Sequence, residues 1–296
     1  MISNSQTATT SGFADTGTAS TRRIGALLAA EGKLSESDIE KIVELQKIRQ
    51  IRFGEAAVRL GLISVDDLRR AMALQYDLPH LLPDNARLNR ELVVACEPFH
   101  PCAEQIRALR TQLVMRWMNG GPSAKTLAIV SPSPREGRTY VAANLAVAFA
   151  QLGRRTLLID ADLRRPRQQR IFGIQDKIGL ATVLSGRADR SAIVPVRDLG
   201  PLSVLPSGAG PPNPVELLSR EGFAMLLHDL QPDFDVILLD TPPALTCADA
   251  QTIAFRARSA LLIARKDHTR IADTERVVRD LADGGTEILG TSLNAY

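Results

Sequence analysis

Short apolar runs alternate with longer, partly polar segments along the chain from Lys125 onward. The apolar runs are TLAIV, RTLLID, LSVLP, FDVILLD, ALLIAR and EILGTSLN. Runs of this size that are apolar throughout are typical of strands buried on both faces of a sheet, and the segments between them are long enough for helices. The pattern therefore predicts an α/β domain with a mainly parallel sheet and helices on both faces.

The N-terminal part of the chain follows a different pattern, because it is an internal repeat. Residues 23–46 align with residues 52–75, and the apolar positions match along the alignment. Each copy has a glycine that can end a first helix and a serine that can cap the start of a second helix. These residues are Gly32 and Ser35 in the first copy, and Gly61 and Ser64 in the second. Each copy therefore predicts a helical hairpin within a small all-α domain.

The division of the chain into domains follows from its composition. Residues 1–21 are rich in serine, threonine, glycine and alanine and have no apolar core, which predicts a disordered leader rather than a signal peptide. Prolines interrupt any long helix between the repeat and the α/β part, at Pro79, Pro83, Pro98 and Pro101. We therefore expect the helical domain to cover residues 22–95 and the α/β domain to cover residues 96–296.

Bulk composition excludes several classes of protein. The chain has 296 residues and a net charge of +3, which is too balanced for a general nucleic-acid binder, so we expect no nucleic-acid partner. No apolar run approaches the roughly 20 residues that span a bilayer, so we expect no membrane span. Three cysteines without CxxC spacing fit a reducing compartment. Together these features predict a cytoplasmic protein.

The stretch SPSPREGRTY, after the first predicted strand, has the parts of a phosphate-binding loop. The strict pattern G-x-x-x-x-G-K-[ST] is not matched, because Pro132 stands at the first glycine and Arg138 at the lysine. Gly137 permits close approach of the backbone, Arg138 supplies a cation, and Thr139 supplies a hydroxyl for Mg²⁺. A helix predicted from Tyr140 would direct free N–H groups at a bound phosphate.

Acidic residues stand at the ends of two later predicted strands. Asp160 and Asp162 follow RTLLI, and Asp240 follows DVILL. Ligands of open α/β sheets bind at the carboxyl ends of the strands, where these side chains would meet the phosphate loop. The sequence therefore predicts a Mg-ATP site whose metal ligands are Thr139, Asp160 and Asp240.

Several motifs occur in one order along residues 100–296. They are SPSPREGRTYVAANLAVAFAQLGRRTLLIDADLRRPR, GLATVLSG, LPSGAGPPNPVELL and DVILLDTPP. This order resembles the bacterial tyrosine kinases of polysaccharide export, and most of all the EpsG-type chain-length-determinant kinases, in which arginine in the loop is usual. The family's three Walker-type motifs map onto 137–139, onto Asp160 with Asp162, and onto Asp240. The resemblance implies a P-loop NTPase fold of the deviant Walker type, like that of MinD and ParA.

The resemblance also implies ATP and Mg²⁺ as cofactors and phosphoryl transfer to tyrosine. Arg138 would neutralise charge on the transferred phosphoryl group, and Asp160 or Asp162 would orient the incoming hydroxyl. Related deviant P-loop ATPases place an asparagine against adenine, which maps onto Asn294. The predicted nucleotide-binding residues are Glu136, Gly137, Arg138, Thr139, Tyr140 and Asn294.

Partners are implied in the same way. The family's E-x-x-R-x-x-R helix, used for ring-like self-association, maps onto Glu104, Arg107 and Arg110, and a spacing of three residues keeps these side chains near one helix face. A solvated charged stripe is the alternative interpretation. The family also implies a membrane-embedded chain-length determinant protein as partner, whose cytoplasmic segment would hold the chain at the inner membrane.

The polar positions of the N-terminal repeat resemble those of the MshEN-type domain, which binds cyclic diguanylate through a duplicated R-x-G…Q pattern. The resemblance implies contacts to that ligand from Arg23, Gly25, Gln46, Arg52, Gly54 and Gln75. The alternative is that packing of the helices alone explains the apolar and glycine positions.

Two functions from different classes follow. The first is an ATP-dependent tyrosine autokinase that regulates chain length in exopolysaccharide biosynthesis. The second is a non-kinase ATPase switch of the MinD and ParA type that acts on a membrane partner and responds to cyclic diguanylate. A structural adaptor is a third alternative. The C-terminal tyrosine cluster typical of the family is absent, since the tyrosines of the chain are Tyr76, Tyr140 and Tyr296.

Overall fold

The chain divides into two units, one up to Leu78 and one from Pro79 onward. The computed structural model describes residues 24–75, 88–98, 100–118, 125–175 and 177–295. The predicted leader, Arg23, Tyr76 and Tyr296 lie outside the described residues. Within the described residues, no helix is both long and apolar enough to cross a membrane.

Short helices form the N-terminal unit. They are α1 (Ile24–Ala30), α2 (Glu36–Arg49), α3 (Phe53–Arg59) and α4 (Val65–Gln75). The Ser35 hydroxyl accepts a hydrogen bond from the Asp38 backbone N–H at 3.2 Å, and the Asp38 carboxylate accepts one from the Ser35 backbone N–H at 3.1 Å. Ser64 and Asp67 repeat this arrangement before α4, with distances of 3.0 and 3.1 Å. The predicted serine caps are therefore confirmed in both copies.

The two copies of the repeat pack on each other more than each packs on itself. Helix α1 contacts α4, and α2 contacts α3, around a buried cluster that includes Leu28 and Ile42. The predicted hairpins therefore interlock. A Cβ at Gly25 would lie 3.1 Å from the Phe53 ring, and a Cβ at Gly54 would collide with the Leu68 side chain. Close packing of the helices thus accounts for both glycines.

The larger unit contains one seven-stranded sheet with the order β3-β4-β2-β5-β1-β6-β7. The strands are β1 (Thr126–Val130), β2 (Thr156–Asp160), β3 (Val194–Pro195), β4 (Leu202–Leu205), β5 (Val236–Asp240), β6 (Ser259–Arg265) and β7 (Glu287–Asn294). All neighbours pair in parallel except β3, which pairs antiparallel with β4. The six predicted strands are confirmed. Strand β3 was not predicted, because two residues that include a proline carry no periodic signal.

Helices cover both faces of this sheet. They are α5 (Val93–Cys96), α6 (Pro101–Arg116), α7 (Arg138–Ala150), α8 (Gln168–Ile171), α9 (Leu180–Leu184), α10 (Pro214–Ser219), α11 (Glu221–Leu230), α12 (Asp249–Ala257) and α13 (Ile271–Asp283). Helices α5 to α8 share one core with alternate strand residues such as Ile129 and Leu238. Helices α9 to α13 share the other core, with the intervening strand residues such as Val130 and Leu239. The strands are therefore buried on both faces, as their apolar sequences require.

The boundary between the units differs from the predicted one at residue 95. Residues Leu92 to Ala95 are buried in the same core as α7. The Asn144 side chain, on α7, accepts a hydrogen bond from the Val94 backbone N–H at 3.1 Å and donates one to the Glu91 carbonyl at 2.8 Å. The segment before α6 therefore belongs to the larger unit. Its sequence was assigned to the helical domain because proline spacing does not reveal which core an apolar segment joins.

The serine cap of α4 leads to a stability prediction. We expect Ser64→Ala to lower the free energy of α4 opening by about 1 kcal/mol, because the Asp67 backbone N–H loses its acceptor. Amide hydrogen exchange of α4, measured by mass spectrometry on the full chain, should then be about fivefold faster. Ser64→Thr keeps the hydroxyl and is the matched control. Equal exchange in wild type and Ser64→Ala would contradict this account of the cap.

Candidate active site

The loop between β1 and α7 is held in shape by its own side chains. Gly137 precedes α7 with a φ of 99°, in the left-handed region that favours glycine. The buried Glu136 carboxylate accepts hydrogen bonds from the Ser133 backbone N–H at 2.7 Å and from the Thr269 hydroxyl at 2.6 Å. The Asn294 side chain donates to the Glu136 carbonyl at 3.2 Å. Glu136 and Asn294, both predicted to bind nucleotide, thus connect the loop to the segment after β6 and to the end of β7.

The Arg138 side chain is turned inward beneath the loop and is only 8% exposed. Its Nε donates to the Thr241 carbonyl at 2.9 Å, and its Nη1 donates to the Ser133 carbonyl at 2.8 Å and to the Ser131 hydroxyl. Burial lowers the pKa of Arg138, while the carboxylates of Asp240, Asp162 and Glu136 act in the opposite direction. Arginine remains charged under such conditions, so a fixed positive charge lies at the base of the loop.

Two fully buried carboxylates lie side by side at the carboxyl edge of the sheet. Asp160 and Asp240 are register partners on β2 and β5. Asp160 Oδ2 accepts from the backbone N–H groups of Arg167 at 3.0 Å and Gln168 at 2.9 Å. Asp240 Oδ2 accepts from the Gln168 side-chain amide at 2.9 Å. The Oδ1 atoms of both aspartates are buried, and the described residues supply neither with a hydrogen-bond partner.

Burial of these carboxylates changes their titration. Burial raises the pKa of Asp160 well above its ordinary value, and the neighbouring Asp240 raises it further. Burial also raises the pKa of Asp240 to about 6, although Arg138, Gln168 and Thr139 act to lower it. Both shifts have the same cause, because an ionised carboxylate loses its hydration in the protein interior.

The donor set at this edge fits a hard divalent cation. Mg²⁺ takes oxygen ligands and is commonly held by one or two carboxylates with hydroxyl and water oxygens completing the shell. Among the described residues, neither Asp160 Oδ1 nor Asp240 Oδ1 has a hydrogen-bond partner, and interaction with the Thr139 side chain acts to lower the pKa of Asp240. Within the described residues, no group of three or more His, Cys, Asp or Glu side chains could hold a metal. The structure does bring the carboxylates of Asp160 and Asp240 close to each other and to the Thr139 side chain.

A cavity of about 960 Å³ opens beside the loop and the carboxylates. This size lies in the range of small-molecule sites. Its wall includes residues of the loop and of α7, the apolar side chains of Ile106 and Leu109 on α6, and Leu293 with Asn294 at the end of β7. Arg165 and Arg167 from the segment after β2 also contribute. The cavity therefore combines positive charge near the loop with an apolar region farther away.

The predicted acids take different positions relative to this cavity. Asp162 lines it, and its Oδ1 accepts from the backbone N–H groups of Arg164 at 3.1 Å and Arg165 at 2.9 Å. Asp160 and Asp240 lie behind the wall at the strand ends. Tyr140 also lines the cavity but is half-buried against the core, and burial raises its pKa to about 12.

The predicted self-association residues on α6 make contacts within the chain. Arg107 donates to the Pro98 carbonyl at 2.7 Å and to the Glu104 carboxylate at 3.2 Å. Arg110 donates to the Ala148 carbonyl, near the end of α7, at 3.1 Å. Only Glu104 is strongly exposed, with a side-chain exposure of 77%. The helix therefore does not carry the fully solvated charged stripe that was the alternative interpretation.

Among the described residues, those predicted to bind cyclic diguanylate make no contacts with one another that identify a binding site. Arg52 is exposed, Gln46 and Gln75 are half-buried, and Arg23 lies outside the described residues. Gly25 and Gly54 are explained by packing.

Sequence reasoning missed several residues that shape the site. Ser131, Thr241 and Gln168 contact Arg138 or the aspartates, and Asp249 forms a salt bridge with Arg164 at 2.8 Å. Gln168 lies among the arginines that follow β2, which are Arg164, Arg165, Arg167 and Arg170. No local signal separates it from the adjacent Gln169, because its role depends on β5, which is distant in sequence.

The comparisons with known proteins agree with this geometry. Residues 124–268 match the family described as AAA domain. Tyrosine-protein kinase YwqD of Bacillus subtilis is 34% identical over 209 residues, which are 71% of this chain and 87% of that protein. The solved kinase domain of Escherichia coli tyrosine kinase ETK is 31% identical, with a TM-score of 0.66 and coverage of 69% of this chain and 79% of that one.

A further solved structure bears on the fold class. The septum site-determining protein MinD of Pyrococcus horikoshii, complexed with Mg-ADP, is 29% identical with a TM-score of 0.51, over 57% of this chain and 69% of that one. The predicted P-loop NTPase fold of the MinD type is confirmed. None of these proteins is described as binding cyclic diguanylate. Because the chain is 34% identical to YwqD over most of the length of both proteins, it belongs to the bacterial tyrosine-protein kinase family.

Proposed function

We propose that the chain is an ATP-dependent protein tyrosine kinase that regulates chain length in exopolysaccharide biosynthesis. The observation that carries the proposal is the buried pair Asp160 and Asp240, whose Oδ1 atoms have no partner among the described residues and which lies beside Thr139 at the start of α7. Membership of the tyrosine-kinase family supports tyrosine as the acceptor. The order of sequence motifs supports the role in polysaccharide production.

ATP and Mg²⁺ are the proposed cofactors. Asp160, Asp240 and Thr139 would hold the metal through oxygen atoms, which is the ligand type that Mg²⁺ prefers. When bound, Mg²⁺ supplies neutralisation of the charge on the phosphate oxygens. The solved MinD relative, complexed with Mg-ADP, supports this pairing of nucleotide and metal. The cavity beside the loop has room for the nucleotide, and Tyr140 and Asn294 lie on its wall.

The remaining predicted catalytic residues then have distinct tasks. Arg138 and the N–H groups at the start of α7 would bind the phosphates, and Arg138 would exchange hydrogen bonds to Ser133 and Thr241 for phosphate oxygens. Of the two predicted catalytic acids, Asp162 lies on the cavity wall, so it is better placed than Asp160 to orient the tyrosine hydroxyl and accept its proton. Asp160 would act through the metal instead.

Self-association and a membrane partner are also proposed. Glu104, which is exposed on α6, would contact a second copy of the chain, while Arg107 and Arg110 hold α6 against the rest of the unit. The resemblance to the polysaccharide-export kinases supports a membrane-embedded chain-length determinant protein as partner. Contact with its cytoplasmic segment would bring the chain to the inner membrane.

The main test is a phosphorylation assay with labelled ATP and Mg²⁺, with and without the partner's cytoplasmic segment. Arg138→Ala and Asp160→Ala should each lower phosphotyrosine formation by roughly 100-fold, because the first removes a positive charge near the transferred group and the second removes a ligand of the cation that would neutralise that group. Arg170→Ala, an exposed arginine outside the cavity wall, is the control and should retain activity. ATP hydrolysis without phosphotyrosine would favour the ATPase switch over the kinase.

Asp162→Asn separates chemistry from binding. We expect the rate of phosphotyrosine formation to fall by roughly 100-fold, because the amide cannot accept the tyrosine proton. Affinity for ATP, measured by calorimetry with Mg²⁺, should change little. The exposed Asp283→Asn is the matched control. A variant that phosphorylates tyrosine at the wild-type rate would rule out this role for Asp162.

Asp240→Asn tests the cost of burying the carboxylate pair without a cation. The pKa of Asp240 is raised to about 6 in the folded chain, so its contribution to stability is present below pH 4 and lost as the pH rises through 6. Asp160 changes stability in the same direction, so the quantity tested is the difference between the two proteins. We expect the metal-free wild type to lose roughly 2 kcal/mol more unfolding free energy than Asp240→Asn between pH 4 and pH 7.

Urea unfolding can be followed by fluorescence of the single tryptophan, Trp117, which is buried in the larger unit. Exposed Glu275→Gln is the control and should follow the wild type. Added Mg²⁺ should restore stability at pH 7 in the wild type and not in Asp240→Asn. An identical pH dependence in both proteins would show that Asp240 is not the group responsible.

A further inference from the structure

Gln168 is a fully buried amide at the start of the one-turn helix α8, behind the cavity wall. We propose that Gln168 is a positioning residue for the metal site, because its amide holds Asp240 Oδ2 and leaves Oδ1 to face the cation. This inference rests on the proposed function and names a further residue on which metal binding depends.

The contacts of Gln168 join the elements that form the site. Its Nε2 donates one hydrogen bond to Asp240 Oδ2, at the end of β5, at 2.9 Å, and another to the Thr139 carbonyl, in the first turn of α7, at 3.1 Å. Its backbone N–H donates to Asp160 Oδ2, at the end of β2, at 2.9 Å. One residue thus contacts all three proposed metal ligands.

The direction of these hydrogen bonds determines which oxygens remain available. On both aspartates the Oδ2 atom is occupied by N–H donors from the segment 167–168, and the Oδ1 atom has no partner among the described residues. A carboxylate held at one oxygen by a donor has its rotation restricted, so its other oxygen keeps a fixed direction. Hydrogen-bond donors that hold a metal ligand from behind orient metal-bound carboxylates in proteins generally.

The oxygen of the Gln168 side-chain amide is also available to the site. Most buried side-chain polar atoms in folded proteins have a hydrogen-bond partner. The Gln168 Oε1 atom is buried and the described residues offer it no donor. The amide is therefore fixed by its donors alone, and its acceptor remains open beside the carboxylates, where a water molecule of the Mg²⁺ shell would supply the missing hydrogen.

Salt bridges to residues of other elements hold the segment that carries Gln168. Arg167 forms a salt bridge with Glu91 at 2.9 Å, and Glu91 precedes α5 in the segment that packs beside α7. Arg164, at the other end of the same segment, forms a bidentate pair with the buried Asp249, at 2.8 and 3.0 Å. These two anchors restrict the loop after β2, so Gln168 meets Asp240 in one orientation.

The test uses the full chain and titrates Mg²⁺ against binding of a fluorescent ATP analogue. Gln168→Met keeps the length of the side chain and removes both donors. We expect the half-saturating Mg²⁺ concentration to rise at least tenfold, in line with other substitutions behind metal ligands. Affinity for the analogue in excess EDTA should stay within about twofold of the wild type, because the phosphate loop does not lose a side chain. Gln169→Met, one residue along the same helix, is the matched control.

A second variant covers the case in which Gln168→Met does not fold, as judged by Trp117 fluorescence. Gln168→Asn keeps the amide but is one methylene shorter, so it fails to span Thr139 and Asp240, and Mg²⁺ half-saturation should also rise. The inference is overturned if the folded variants titrate with Mg²⁺ like the wild type, or if they lose affinity equally in EDTA and in Mg²⁺. A wild type that binds the analogue without any response to Mg²⁺ would overturn the proposed metal site itself, and this inference with it.

Discussion

Two like charges buried next to each other set the conditions for the whole site. Asp160 and Asp240 are brought together by the parallel register of β2 and β5, and burial raises the pKa of each. Such a pair is costly in a folded protein unless protons or cations compensate it. Arg138 and the N–H donors of residues 167–168 are the compensation that this sheet edge provides, and a divalent cation is the further compensation that we propose. The surrounding loops hold Arg138 and these N–H donors in place beside the two carboxylates.

Much of the fold could be predicted from periodicity alone. Six strands, the helical repeat and the caps at Ser35 and Ser64 all follow from signals carried within short windows of sequence. The exceptions have physical reasons. Strand β3 is too short to show a period, and the segment around Val94 is apolar but joins a core formed by residues far away in sequence. Local patterns determine elements, whereas assignment to a core depends on contacts between distant segments.

The residues of the candidate site that could be predicted from sequence are those at the ends of strands. Asp160 and Asp240 stand at strand ends, so topology brings them together once the sheet is known. The inward turn of Arg138 and the buried carboxylate of Glu136 could not be predicted, because they depend on acceptors and donors in other loops. Gln168 is the extreme case, because its contribution to the site depends entirely on hydrogen bonds to residues on β5 and α7, which are distant in sequence.

The packing of the segment before α6 bears on how the catalytic unit can be separated from the helical repeat. Cutting the chain at residue 96 would remove Leu92 and Val94 from the core and leave the Asn144 amide without its partners. The truncated protein would expose apolar surface beside the helix that follows the phosphate loop. Leu88 also packs against this core. A fragment that keeps this core intact must therefore include Leu88.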